Sequence, residues 1–250
     1  MENKTRGIVI RTIKYGESSA ICNILTEQYG LVGFHIPGVY KNKGKVKMSY
    51  LQPLSTVELS LNYKKNSNLQ RILDITCQSS PEFKTFSQQA FYQVFCELIQ
   101  QTLKENELNK NLFDYLYQDA IPGLNTEIHF WQLPFTMLNV LHHYGCSPNC
   151  ESYTDDAYLD LQNGTFIETL LPLKSIAEKD SSAAIFQILT QGIAHLSKDK
   201  TLRGKVIEEL LRYFQYHVSG HFELRSRSIL SEVLSASLSN LILSKLVGKT

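Results

Sequence analysis

Leu54-Ser-Thr-Val-Glu-Leu-Ser-Leu-Asn-Tyr63 has the pattern of a strand with one face in a core and one in water. Leu54, Val57, Leu59 and Leu61 are apolar, with Ser55, Glu58, Ser60 and Asn62 between them. A period of two belongs to a half-buried strand, not to a helix. Similar runs lie on either side. Gly7-Ile-Val-Ile-Arg-Thr-Ile13 alternates and is rich in β-branched residues, and Lys14-Tyr-Gly-Glu17 follows as a turn. Ser18 to Leu25 is a second strand, Gln28-Tyr-Gly30 a second turn, and Leu31 to Ile36 a third strand closed by Pro37-Gly38. Leu69 to Thr76 is a fifth. Five short strands within 80 residues predict a small closed barrel, because closure removes the exposed edges of so short a sheet.

From residue 80 the period changes. Ser80-Pro81-Glu82 has the residue types of a helix start, with Phe83 to Leu103 as the helix behind it. Leu108 to Asp119 is a second helix, stopped by Pro122-Gly123. Thr126 to Tyr144 is a third, apolar nearly all round and so central in a bundle, with Pro134 as a kink. Residues 145–171 interrupt the helices. There Tyr158–Leu161 and Thr165–Ile167 predict a hairpin about Asn163-Gly164 in a type I′ turn. Helices resume at about Ser182–Ser197, Leu202–Val218 and Ser228–Lys245.

The 250 residues carry 25 Lys and Arg against 24 Asp and Glu, a net charge of +1 that hides a split. Residues 1–80 hold eleven bases and five acids, and the remainder fourteen and nineteen. Between Glu27 and Glu58 there is no acid at all, yet Lys41, Lys43, Lys45 and Lys47 alternate, so an extended segment puts all four on one side. Arg11, Lys14, Lys64, Lys65 and Arg71 extend the field, and Tyr29, Phe34, Tyr40, Tyr50 and Tyr63 lie nearby in sequence. Lysines release counterions from phosphates and aromatic rings stack on bases, so this module is expected to bind nucleic acid.

Catalytic patterns are missing. There is no G-x-S-x-G, H-E-x-x-H or G-x-G-x-x-G, and Val247-Gly-Lys-Thr250 lacks both the upstream glycine and the following helix of a phosphate loop. A non-enzymatic binding protein is expected. Cys146 and Cys150 with His142 and His143 fall short of a four-ligand zinc site, and His217 and His221 flank a helix end. Five scattered cysteines, no long apolar stretch and no apolar leader point to the reducing cytoplasm and away from a membrane.

Gly7–Ser19, then Leu25-Thr-Glu-Gln-Tyr-Gly-Leu31, Pro37-Gly38-Val-Tyr-Lys41 and Leu51-Gln-Pro-Leu54 resemble the opening of the RecO family of bacterial recombination mediators. Asn68–Ile72 fits the same pattern, as does the change to helices near residue 80. The likeness runs the length of the chain, and its first 75 residues are the specific part. It implies an α+β protein: an N-terminal OB-fold β-barrel over 1–80, followed by an α-helical bundle domain over 81–250 with a small β-hairpin insertion at about 145–171. It also implies DNA repair and homologous recombination by the RecF pathway. On that reading the protein binds ssDNA and dsDNA, anneals complementary strands and, with RecR, helps load RecA onto DNA coated by single-strand-binding protein (SSB). The location implied is cytoplasmic and nucleoid-associated.

The helical domain is then expected to take the acidic C-terminal tail of SSB, with Arg203, Lys205 and Arg212 as candidate basic residues on one helix. Many family members carry a four-cysteine zinc-binding insertion in this domain. Here only Cys146 and Cys150 occupy that region, so neither metal nor other cofactor is expected. The alternative reading is an RNA-binding OB-fold protein of translation or RNA processing. A hydrolase hidden in the helical part is a third.

Overall fold

The computed structural model describes residues 3–41, 46–105, 107–124, 126–168 and 175–229. Strands β1 (Asn3–Tyr15), β2 (Ser19–Thr26), β3 (Gly30–Ile36), β4 (Thr56–Leu61) and β5 (Gln70–Ser79) close into a barrel in the order β1-β2-β3-β5-β4. All neighbours are antiparallel except β3 and β5, which run parallel. This is the Greek-key closure of an OB fold.

One strand makes the closure possible. β1 is 13 residues long and shifts register between Val9 and Arg11. Its first half pairs with β4 and its second continues along β2. A bulge of this kind bends a strand and raises its twist, which a small barrel needs. Val9, Cys22, Ile24, Phe34, Leu51 and Leu59 fill the interior. Each such side chain stabilises by about 1.5–3 kcal/mol before entropy is counted. Burial pushes the Cys22 thiol up to about 11, so Cys22 is a packing residue and not a nucleophile.

The chain divides into two compact units, Met1–Gln88 with Phe95–Thr126, and Gln89–Val94 with Glu127–Thr250. In the first, residues beyond the barrel strands gather onto the barrel. Arg6 of β1 forms a two-pronged pair with Glu27 at 2.8 and 2.9 Å, and its guanidinium lies 4.9 Å from the centre of the Tyr117 ring. Arg6 also lies 3.9 Å from Asp114 of α2 (Lys110–Tyr115). Gly30 has φ +69°, and a Cβ there would meet the Glu107 carbonyl oxygen at 2.3 Å. Only glycine combines that backbone with that approach. Gln100 of α1 (Phe86–Thr102) donates to the Ile10 carbonyl at the bulge.

In the second unit α4 (Gln132–Tyr144), α5 (Lys179–Gln191) and α6 (Lys200–His217) pack on one another. Trp131 is fully buried and its indole N–H donates to the Ser197 carbonyl at 2.9 Å. The hairpin of β6 (Tyr158–Asp160) and β7 (Thr165–Ile167) joins this unit. Tyr213 of α6 donates to the Cys146 carbonyl, and a Cβ on Gly164 would meet its hydroxyl at 2.6 Å.

Several sequence expectations need correction. The first helix starts at Phe86, not after Ser80. Thr85 caps it, with Gln88 returning a bond to the Thr85 N–H, while the Ser80 hydroxyl is drawn to Ser55 and Cys77. The second begins at Lys110 under an Asn109 cap, and its helical backbone runs on through a π turn (Leu116–Ala120) into α3 (Ile121–Gly123). The third begins at Gln132, which puts Pro134 in its first turn, where a missing N–H breaks no bond and makes no kink.

The hairpin turn is not type I′. Its loop is four residues long, only Gly164 has positive φ, and the Asp160 carboxylate accepts from the Gln162 and Asn163 backbone. α5 ends at Gln191, where Gly192 takes φ +77°, and not at Ser197. From residue 230 onward, the helix expected over Ser228–Lys245 lies outside the described residues. No helix among the described residues is long and apolar enough to cross a membrane.

Candidate nucleic-acid interface

Alternation along β1 decides which cations share a face. Thr12 turns inward, its hydroxyl 2.8 Å from the Leu51 carbonyl, so Arg11, Ile13 and Tyr15 point outward. Arg11 stands opposite Asn23, and Ile13 opposite Ile21, which itself stands opposite His35. His35 stands opposite Arg71 across the parallel β3–β5 pair. One outer face over β1, β2, β3 and β5 thus carries Arg11, Ile13, Tyr15, His35 and Arg71. Tyr15 is 56% exposed and meets the His35 ring edge to face at 5.8 Å. Leu69 and Leu73 lie open on β5 and the loop before it, 39% and 52% exposed. Large apolar and aromatic side chains left in water beside unpaired cations fit a stacking platform.

The loop of residues 62–69 flanks this face. Gln70 is buried and holds the loop shut. It accepts from the Lys64 N–H at 2.9 Å and donates to the Lys64 and Ser67 carbonyls. Lys64 and Lys65 are left exposed, and Lys64, Leu69, Arg71 and Leu73 line a cleft of about 220 Å³. On the β1–β2 side the Lys14 ammonium lies over the Tyr40 ring at 5.6 Å. Lys47 lies over Tyr50 at 5.9 Å, and Lys41 is exposed after a turn at Gly38. Lys43 and Lys45 lie outside the described residues. Arg11, Lys14, Lys41, Lys47, Lys64, Lys65 and Arg71 form no ion pair among the described residues, in contrast to Arg6, Lys110, Lys179, Lys205 and Arg212. Their charge is therefore open to phosphates.

The aromatic expectation is corrected in part. Phe34 is core, and Tyr29 and Tyr63 stack on each other at 4.2 Å and pack on the barrel interior. Tyr40 remains exposed, and Tyr50 is half-buried. Tyr15 and His35 were missed. The signal for Tyr15 was present, since β1's alternation continues outward through Arg11 and Ile13 to it. His35 needed the three-strand register.

The three cations proposed for a protein partner do not form an open basic rim. Arg203 is 3% exposed, donates to the Phe130 carbonyl at 3.2 Å and lies 4.0 Å from that ring's centre. Burial lowers its pKa from the usual guanidinium range. Lys205 is paired with Glu178 at 2.6 Å and Arg212 with Glu209 at 2.5 Å. Nor do the residues present fit the four-cysteine zinc site that the resemblance implies. Cys146 and Cys150 follow α4, but among the described residues no three His, Cys, Asp or Glu side chains gather as a metal would need.

A closed five-strand barrel followed by a helical unit defines an OB-fold protein. Residues 1–80 match the family described as Recombination protein O N terminal. Relatives named DNA repair protein RecO align along most of the chain. The one from Azobacteroides pseudotrichonymphae is 28% identical over 245 residues, covering 92% of this chain and 98% of its own. That from Bacteroides fragilis is 28% identical over 243 residues, 93% and 99% of the two chains. That from Christiangramia forsetii is 25% identical over 235 residues, 92% and 98%. Along most of its length the chain is thus similar to the RecO family of DNA repair proteins, and its first 80 residues match that family's N-terminal model.

Proposed function

We propose that this protein is a non-enzymatic recombination mediator. It binds ssDNA and dsDNA on the outer face of its barrel, anneals complementary strands and, with RecR, helps RecA replace SSB. The observation that carries the reading is the row of unpaired cations beside exposed Tyr15 and half-buried His35, on the strand face and flanking loops that OB barrels use for oligonucleotides.

In mechanism, two approaching strands repel through their phosphates. Arg11, Lys14, Lys41, Lys43, Lys45, Lys47, Lys64, Lys65 and Arg71 neutralise that charge on both strands. Stacking on Tyr15 and His35 holds bases splayed and leaves their pairing edges open. The acidic tail of SSB is assigned to the helical unit. Lys205 or Arg212 can serve it only by exchanging its present carboxylate partner, and Arg203 acts there by holding Phe130 in place.

The test is annealing of complementary strands coated with SSB. The protein is expected to accelerate pairing, with RNA of matched sequence a weaker competitor than DNA. Changing Lys41, Lys43, Lys45 and Lys47 to Glu is expected to abolish the acceleration while the circular dichroism spectrum stays unchanged. No acceleration by the unmodified protein overturns the annealing reading, and RNA as the stronger competitor transfers the assignment to RNA.

A further inference from the structure

We infer that the barrel carries a second, oppositely charged recognition site. It is a groove on the β1–β4–β5 face that receives one lysine or arginine side chain of a protein partner. A cavity of about 350 Å³ opens there. Its walls are the outward residues of three strands in register: Arg6 stands opposite Glu58 and Lys4 opposite Ser60, then Ser60 opposite Asp74 and Glu58 opposite Thr76.

Two independent observations point to a cationic guest. The first is at the base. Ser60 lines the groove and is only 6% exposed, and its hydroxyl has no hydrogen-bond partner among the described residues. That hydroxyl opens into the groove and offers a free acceptor to a donor that enters it. The second is at the rim. Glu58 and Asp74 are exposed on adjacent strands and form no ion pair among the described residues.

The other charges do not cancel them. Arg6 is committed to Glu27, and Arg6 and Lys110 lower the Glu27 carboxylate below its ordinary value. Of the remaining lining charges, Lys4 is single against two carboxylates.

Size and chemistry select the occupant. A helix of about 10 Å diameter is too wide for such a cavity, whereas an extended Lys or Arg side chain suits it. Arginine adds a planar fork that can bridge two carboxylates. A phosphate is disfavoured beside Glu58 and Asp74. A metal ion lacks a third carboxylate, imidazole or thiol ligand among the described residues. The groove lies where the first half of β1 meets β4, and the cationic face where its second half meets β2. A protein partner and a polyanion can therefore occupy the barrel together.

The test uses the full chain labelled with ¹⁵N and the capped peptides acetyl-Gly-Arg-Gly-amide and acetyl-Gly-Lys-Gly-amide, with acetyl-Gly-Gln-Gly-amide as the neutral control. Saturable amide shifts are expected at Lys4, Glu58, Ser60 and Asp74 with the cationic peptides only. The double variant Glu58→Gln/Asp74→Asn is expected to weaken them at least tenfold. If it does not fold, the exposed single variants Glu58→Gln and Asp74→Asn each carry the test with a smaller, threefold or greater loss. Equal shifts with the glutamine peptide, shifts confined elsewhere, or full binding by folded variants overturn the proposal. Movement of the same four amides by an oligo-dT strand overturns it as well, and would make the groove part of the nucleic-acid surface.

Discussion

Changing Arg11, Lys64 and Arg71 together to Gln, and separately Tyr15 to Ala, divides the binding energy of the barrel face into its two physical parts. The three cations are exposed and form no ion pair among the described residues, so their loss leaves the fold within the range of ordinary surface changes, about ±0.5 kcal/mol. Each cation that neutralises a phosphate of a single strand contributes about 0.7 to the slope of log affinity against log salt. Removing three lowers that slope by about 2. At about 0.1 M salt this is roughly a hundredfold weaker binding, and the gap closes as salt rises. Tyr15→Ala removes a ring that is 56% exposed and meets the His35 ring edge to face. Lost stacking costs about 1–3 kcal/mol, or roughly 5- to 150-fold, with the slope unchanged. Fluorescence anisotropy with a labelled oligo-dT strand over a salt series measures both. An unchanged slope in the triple variant would refute the assignment of this face to phosphates, and unchanged affinity in Tyr15→Ala would refute the stacking platform.

Gly30→Ala is expected to destabilise the barrel unit, by about 1–3 kcal/mol for the left-handed backbone and a further 1–3 kcal/mol or so for a Cβ placed 2.3 Å from the Glu107 carbonyl oxygen. Urea unfolding followed by circular dichroism measures it, and an unchanged midpoint contradicts the packing at Gly30. Glu27→Gln is expected to lower Tm at neutral pH and to match the unmodified protein in acid. The Glu27 pKa is depressed by Arg6, so its contribution is whole above the unfolded value and disappears as pH falls through the lower folded one. A Tm difference that persists at low pH would mean that packing, not charge, is at work. Protein purified without added metal is expected to contain no stoichiometric zinc and to melt at the same temperature with or without chelator. Zinc lost together with thermal stability would reverse that expectation.

The barrel was legible in the chain because strand alternation is a local property. Val57, Leu59 and Leu61 point inward by the same two-residue period that puts Glu58 outward, and no distant contact is needed to know it. The cationic bias of residues 1–80 was legible for a similar reason, since charge excess is a sum over positions. The helix ends were not. Ser80 has the chemistry of a cap, but its hydroxyl is claimed by Ser55 and Cys77, and Thr85 caps in its place. Which aromatic rings are free could not be read either. Tyr29 and Tyr63 lie 34 positions apart in the chain and stack, whereas Tyr15 and His35 come to one open face only through pairing across three strands. Arg203, one base among several on an amphipathic helix, is buried because the fold sets the Phe130 ring and carbonyl against it. Periodicity and charge are written residue by residue, while partners are chosen by register and packing, and only the folded chain contains those.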